Sequence, residues 1–167
     1  MIKIREVEDK RDLEKFVEMP YGIYKEYGFI PLLKIMEIEN LNPKGKSPAF
    51  KKMELKYYIA YKNDKPSGRI CVYTAKHPVV GIDTEKVGFF GYFECINDLD
   101  VAQKLFEKAE EFLKEKGKKE IIGPASFAYD GLWGIQIDGF DRMQMIMIPF
   151  HPYYYKDLLE KSGFNKK

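Results

Sequence analysis

Apolar and polar positions alternate from Lys3 to Val7, the pattern of a short half-buried strand. Leu13, Phe16, Val17, Ile23 and Tyr24 then recur at helical spacing, with Pro20 and Gly22 interrupting the run. Residues 28–50 carry Pro31, Pro43, Gly45 and Pro48. They predict a long connection holding one or two helical turns, of a kind that is usually functional or mobile. Leu55–Tyr61 and Gly68–Thr74 flank the turn cluster Asn63-Asp64-Lys65-Pro66 and predict an antiparallel hairpin. After a loop over 77–83, Val87–Ile96 is the most strand-like run in the chain. Its glycines, Gly88 and Gly91, point to a bulge or to close approach of another backbone.

Val101, Ala102, Leu105, Phe106, Ala109, Phe112 and Leu113 form one apolar face of a helix over Leu99–Lys116, capped by Asn97 or Asp98 and ended by Gly117. Glu120-Ile121-Ile122 is a short strand, residues 125–142 read as loop, and Met143–Ile148 as a strand apolar at almost every position. A last helix spans 152–162, with Pro152 at its start and Gly163 past its end. The strand-helix-strand unit over 87–122 requires a crossover, so its two strands are expected to be parallel. The resulting class is α+β, a mixed sheet with helices on both faces.

The length of 167 residues suits one domain, 1–167, and the 45% hydrophobic and 15% aromatic content excludes wholesale disorder. The 28 basic and 26 acidic residues leave +2, which argues against a strongly basic nucleic-acid surface. Two cysteines are too few for a disulfide framework. No apolar stretch reaches about 20 residues and the N-terminus lacks the apolar core of a signal peptide. The default expectations are therefore a cytoplasmic location, with neither nucleic acid nor membrane as partner.

Few residue patterns carry chemistry by themselves. No His or Cys spacing resembles a zinc site, and no metal is expected. A Cys95–His151 pairing has no motif behind it. The glycine-rich loop over 123–139 lacks the Lys-Ser/Thr ending of a phosphate loop, but it brings Phe127, Tyr129 and Trp133 together in sequence. These aromatics would either wall a pocket for an apolar or planar ligand or tuck into the core. Glu94 lies inside an aromatic strand, where desolvation would suit a general base; a salt-bridged or exposed strand residue is the alternative.

The ending Leu158-Leu159-Glu160-Lys161-Ser162-Gly163-Phe164 resembles that of the GNAT N-acyltransferase superfamily. The segments VGFFGYFECIND (87–98), IIGPASF (121–127), IDGFD (137–141) and MIPFHPYYYKDLLEKSGF (147–164), with Gly68-Arg69-Ile70 and residues 27–33, are more narrowly similar to an uncharacterised bacterial GNAT-like group whose members are about twice as long. The resemblance implies a fold that binds acetyl-CoA or another acyl-CoA and acylates an amine, with Glu94 as candidate base. It places the CoA pyrophosphate on the amides of Cys95, Ile96, Asn97 and Asp98, where a helix N-terminus would meet it. The family's glycine signature is absent there, and helix capping is the competing role for Asp98. Where many members carry a tyrosine acid in the last helix, this chain has Leu159; Tyr155, one turn earlier, is assigned with Phe127, Tyr129 and Trp133 to the substrate pocket. A non-catalytic small-molecule- or protein-binding domain is the alternative function. The superfamily's two further C-terminal strands are missing after Phe164, which leads to the expectation of a homodimer or partner chain engaged through residues 143–167.

Overall fold

A computed structural model describes residues 1–45, 48–75, 81–127, 133–144 and 148–166. The elements are β1 (Ile2–Glu6), α1 (Lys10–Ile23), α2 (Lys34–Leu41), a short 3₁₀ helix (Pro48–Lys52), β2 (Met53–Lys62), β3 (Lys65–Ala75), β4 (Val87–Cys95), α3 (Leu99–Glu115), β5 (Glu120–Ile122) and α4 (Tyr155–Lys161). They build a five-stranded sheet in the order β1-β2-β3-β4-β5. The first four strands are antiparallel to their neighbours and β5 runs parallel to β4, as the crossover through α3 requires.

Strand alternation divides the core into two layers. Tyr57 and Ile59 of β2 and Cys71 and Tyr73 of β3 face α1, where they meet Leu13, Phe16 and Val17. Tyr58, Ala60, Ile70 and Val72 face the opposite way, onto the apolar stripe of α3 and onto Tyr155, Leu158 and Leu159 of α4. Asp9 caps α1 by accepting the Asp12 amide at 2.8 Å. The β2–β3 hairpin closes on Asn63 and Asp64, both at positive φ, the geometry of a two-residue type I′ turn.

Two sequence expectations are corrected, and a third is met. α1 continues through Pro20 to Ile23 rather than breaking there. The 28–50 connection holds about two helical turns, α2, before the 3₁₀ segment, as its sequence led one to expect. Met143, Gln144 and Ile148 are irregular rather than strand, while 145–147 lie outside the described residues, as do His77 and Tyr129. Gln144 instead turns its Oε1 to accept the Ile30 amide at 2.8 Å.

The bulge foreshadowed by the β4 glycines is present. Arg69 pairs with Glu94 and Cys71 with Gly91, so three steps along β4 oppose two along β3, and Tyr92 takes a φ of 47° to absorb the extra residue. The close approach is present as well. After β5 the chain stays against β4 long enough for the Ala125 amide to donate to the Phe90 carbonyl at 2.8 Å. A Cβ on Gly91 would sit 2.1 Å from the Ala125 carbonyl oxygen. Because that neighbour is backbone, Gly91→Ala is expected to destabilise the fold by about 2–4 kcal/mol in urea denaturation. Gly22→Ala, with nothing within 4 Å of the new Cβ, is expected to stabilise it by about 0.5–1 kcal/mol. Equal shifts would contradict the close approach.

Candidate functional site

The bulge re-aims the last residues of β4, and two polar constructions meet there, one on each face. On the α1 face Glu94 Oε2 accepts from Arg69 Nε. Arg69 is 2% exposed, packs its guanidinium 4.7 Å from the centre of the Phe16 ring, and donates from Nη1 to the Phe16 carbonyl at 2.6 Å. That carbonyl is available because its helical partner would be the amide of residue 20, and Pro20 has none. Arg69 thus completes the hydrogen bonding of α1 from outside the helix. Burial works against the charge on Arg69, but the adjacent Glu94 carboxylate outweighs it and holds the guanidinium above its ordinary range.

On the α3 face the backbone of Cys95 is engaged by side chains. Its amide donates to the Tyr155 hydroxyl at 2.8 Å, and its carbonyl accepts from the Tyr154 hydroxyl at 2.9 Å. Tyr155 and Tyr24, at the end of α1, share a buried hydrogen bond of 3.0 Å between their hydroxyls. Burial first, and the nearby Glu94 charge as well, push both phenols well above their ordinary range, so they serve as neutral hydroxyls. His151 lies against the Tyr155 ring, accepts the Gln136 amide through Nδ1, and is pushed down to about 4 by burial.

The turn from β4 into α3 is the segment expected to receive a pyrophosphate. Asp98 Oδ1 accepts the Val101 amide at 3.2 Å and its other oxygen pairs with Lys62. Burial opposes its charge, yet the Lys62 ammonium and the Val101 amide prevail and hold the carboxyl below its usual range. The Ile96 amide donates to Ser67 and the Asp98 amide to Ile96, at 3.0 and 2.6 Å. With Cys95 bound to Tyr155, three of the four amides over 95–98 donate within the chain.

The sequence-assigned residues are only partly brought together. Glu94 and Cys95 point to opposite faces, as a strand requires, and the Cys95 thiol turns to the Asp98 carbonyl rather than to His151. Burial pushes that thiol up, away from nucleophilic chemistry. Phe127 packs on Tyr73 and Tyr92, and Trp133 on Phe89, all on the α1 face. Tyr155 is fully buried on the other face, and Leu159 is core beside it. Sequence reasoning passed over Arg69, Tyr24, Tyr154 and Lys62. Arg69 carried a signal: it is one of four arginines in a chain with 24 lysines, and it sits inside the apolar run Gly68-Arg69-Ile70-Cys71-Val72.

Replacing Arg69 by Met keeps the volume but strips both Glu94 and the Phe16 carbonyl of their donor. A loss of about 3–5 kcal/mol in chemical denaturation is expected, the cost of an abandoned buried charge. A loss below about 1 kcal/mol would show that neither group depends on it.

No protein-family model matches the chain. It is 31% identical over 166 residues to protein YghO of Escherichia coli (strain K12), covering 98% of this chain and 41% of that protein. It is 25% identical over 161 residues to a bacterial ceramide synthase of Caulobacter vibrioides, covering 96% and 42%. The chain therefore spans about two-fifths of the length of both relatives. Among solved structures, a predicted acetyltransferase with acetyl-CoA from Clostridium acetobutylicum superposes with a TM-score of 0.61 at 13% identity, over 100% of this chain and 92% of that one. An aminoglycoside N-acetyltransferase in complex with CoA also reaches 0.61 at 13% identity, over 99% and 89%. A Pyrococcus furiosus structure gives 0.56 at 15% identity, over 100% and 95%. With its mixed sheet, bulged fourth strand and crossover helix, the chain has the fold of the GNAT N-acyltransferases.

Proposed function

We propose that this chain is a GNAT-fold domain of an amide-forming N-acyltransferase and does not itself hold acyl-CoA in the manner of its structural neighbours. The observation that carries this reading is the internal use of the β4–α3 amides. A CoA pyrophosphate needs free N–H groups and a positive helix end. Here Asp98 brings a carboxylate to that end, and Tyr155 and Tyr154 occupy the Cys95 backbone beside it. The residues present do not fit the group. Amide formation is supported by the relative named as a ceramide synthase, since a ceramide is the amide of a long-chain amine and a fatty acid.

Calorimetric titration with acetyl-CoA and with palmitoyl-CoA tests the reading. No saturable heat up to millimolar ligand is expected, a range in which binding is worth only about 4 kcal/mol. Micromolar binding with phosphate contacts to residues 95–101 would overturn it.

A second reading is favoured by one observation, the position of Glu94 at the β4 bulge, held by a buried arginine. In it Glu94 accepts a proton from the amine and Arg69 is its positioning residue. Glu94→Gln separates the two. The second reading requires acyl transfer to fall about 10²-fold at a temperature where both proteins are folded. The first expects only a loss of stability of about 1–3 kcal/mol from the broken ion pair, with acyl transfer unchanged at that temperature.

A further inference from the structure

The connection from α1 to α2 and the first turn of α2 present an aliphatic ridge to the outside. Ile30, Leu32, Leu33, Ile35 and Met36 are all more than half exposed, Leu33 and Ile35 reaching 71% and 80%. Met143 stands at 85% beside Gln144, whose side chain fastens the ridge at Ile30. A cluster of this size exceeds the scattered apolar residues of an ordinary surface and marks an interaction site. We propose that this ridge docks the protein on the surface of a lipid bilayer.

Three features favour a bilayer over a protein partner. First, much of the ridge backbone is satisfied internally. The Ile30 amide donates to Gln144, Pro31 has no amide, the Leu32 carbonyl accepts the Tyr21 hydroxyl at 2.7 Å, and the Leu33 carbonyl accepts the Met36 and Glu37 amides. A segment that enters lipid must carry its own hydrogen bonds, because the acyl region supplies none. Second, the ridge is aliphatic and holds no arginine or tryptophan, the residues that dominate protein interfaces. Third, Tyr27, Lys25 and Lys34 flank or interrupt the ridge in sequence, an aromatic ring and long ammonium stems that suit the headgroup level. Lys34 is held there by an ion pair with Glu18 of α1. Because Glu26 and Glu37 balance the lysines, attachment is by apolar partition rather than by attraction to anionic lipid.

The proposal rests on the reading above in one respect: a ceramide-like product belongs to a bilayer, so a domain of its synthase has reason to reach one. It departs from the expectation that a membrane is not a partner. That expectation came from the lack of a spanning segment, and among the described residues no helix is long and apolar enough to cross a membrane. Docking on a surface needs none.

Flotation with phosphatidylcholine vesicles, free of acyl-CoA and amine, is the test. The full chain is expected to float with the vesicles, equally at low salt and in 1 M salt (roughly a 3 Å Debye length). The double variant Leu33→Ser/Ile35→Ser, at two of the most exposed positions, is expected to bind about tenfold less or weaker still, with a thermal melt no lower than that of the wild type, because serine suits the N-cap of α2. Wild-type protein remaining at the bottom of the gradient would overturn the proposal. So would equal flotation of both proteins, or a dimer in sedimentation equilibrium that the double variant dissociates while vesicles bind neither. Vesicle binding together with micromolar acyl-CoA binding would leave the docking intact and remove the non-CoA-binding reading.

Discussion

A single buried guanidinium holds the bulged end of β4 to β3 and α1. Arg69 lies in β3, reaches across to Glu94 on the bulged end of β4, and hydrogen-bonds the one carbonyl of α1 that Pro20 leaves without a donor. Each contact makes the others necessary. A charge sealed in the core is costly unless paired, a helix with an internal proline has an unsatisfied carbonyl, and a bulge needs something to fix its register. One side chain answers all three.

From that anchor the geometry runs to the other face. α1 extends to Tyr24 because Pro20 does not end it, and Tyr24 meets Tyr155, which takes the Cys95 amide. Asp98, the last residue of the turn, caps α3 and draws Lys62 from β2. The end of β4 and the start of α3 are therefore closed by the chain's own side chains. The solved neighbours that carry CoA or acetyl-CoA share this fold at 13% identity. Likeness at that level fixes the path of the backbone and leaves the donors along it free to be used differently, so fold alone does not assign the chemistry.

Much of the architecture was legible in the sequence because it depends on local pattern. The hairpin followed from Asn63-Asp64 between apolar runs, α3 from its apolar stripe, and the parallel β4–β5 pair from the crossover. Gly88 and Gly91 signalled both the bulge and a close backbone. What escaped was whatever depends on contacts distant in sequence. Pro20 reads as a break until Arg69, 49 positions away (69 − 20), supplies the missing donor. The run 143–148 is apolar enough to read as a strand, yet Gln144 is spent on Ile30, 114 residues earlier. The aromatic loop residues read as one pocket with Tyr155, but Phe127 and Trp133 lie on the α1 face while Tyr155 lies on the other, a division that sequence spacing cannot carry.

The central claim is that the amides at the β4–α3 turn already have acceptors inside the chain. Residue-resolved hydrogen exchange at Cys95, Ile96 and Val101, with and without millimolar acetyl-CoA, tests it most directly. Slow exchange at all three is expected in the free protein, with no change when acetyl-CoA is added. Fast exchange in the free protein, turned slow by acetyl-CoA, would contradict it.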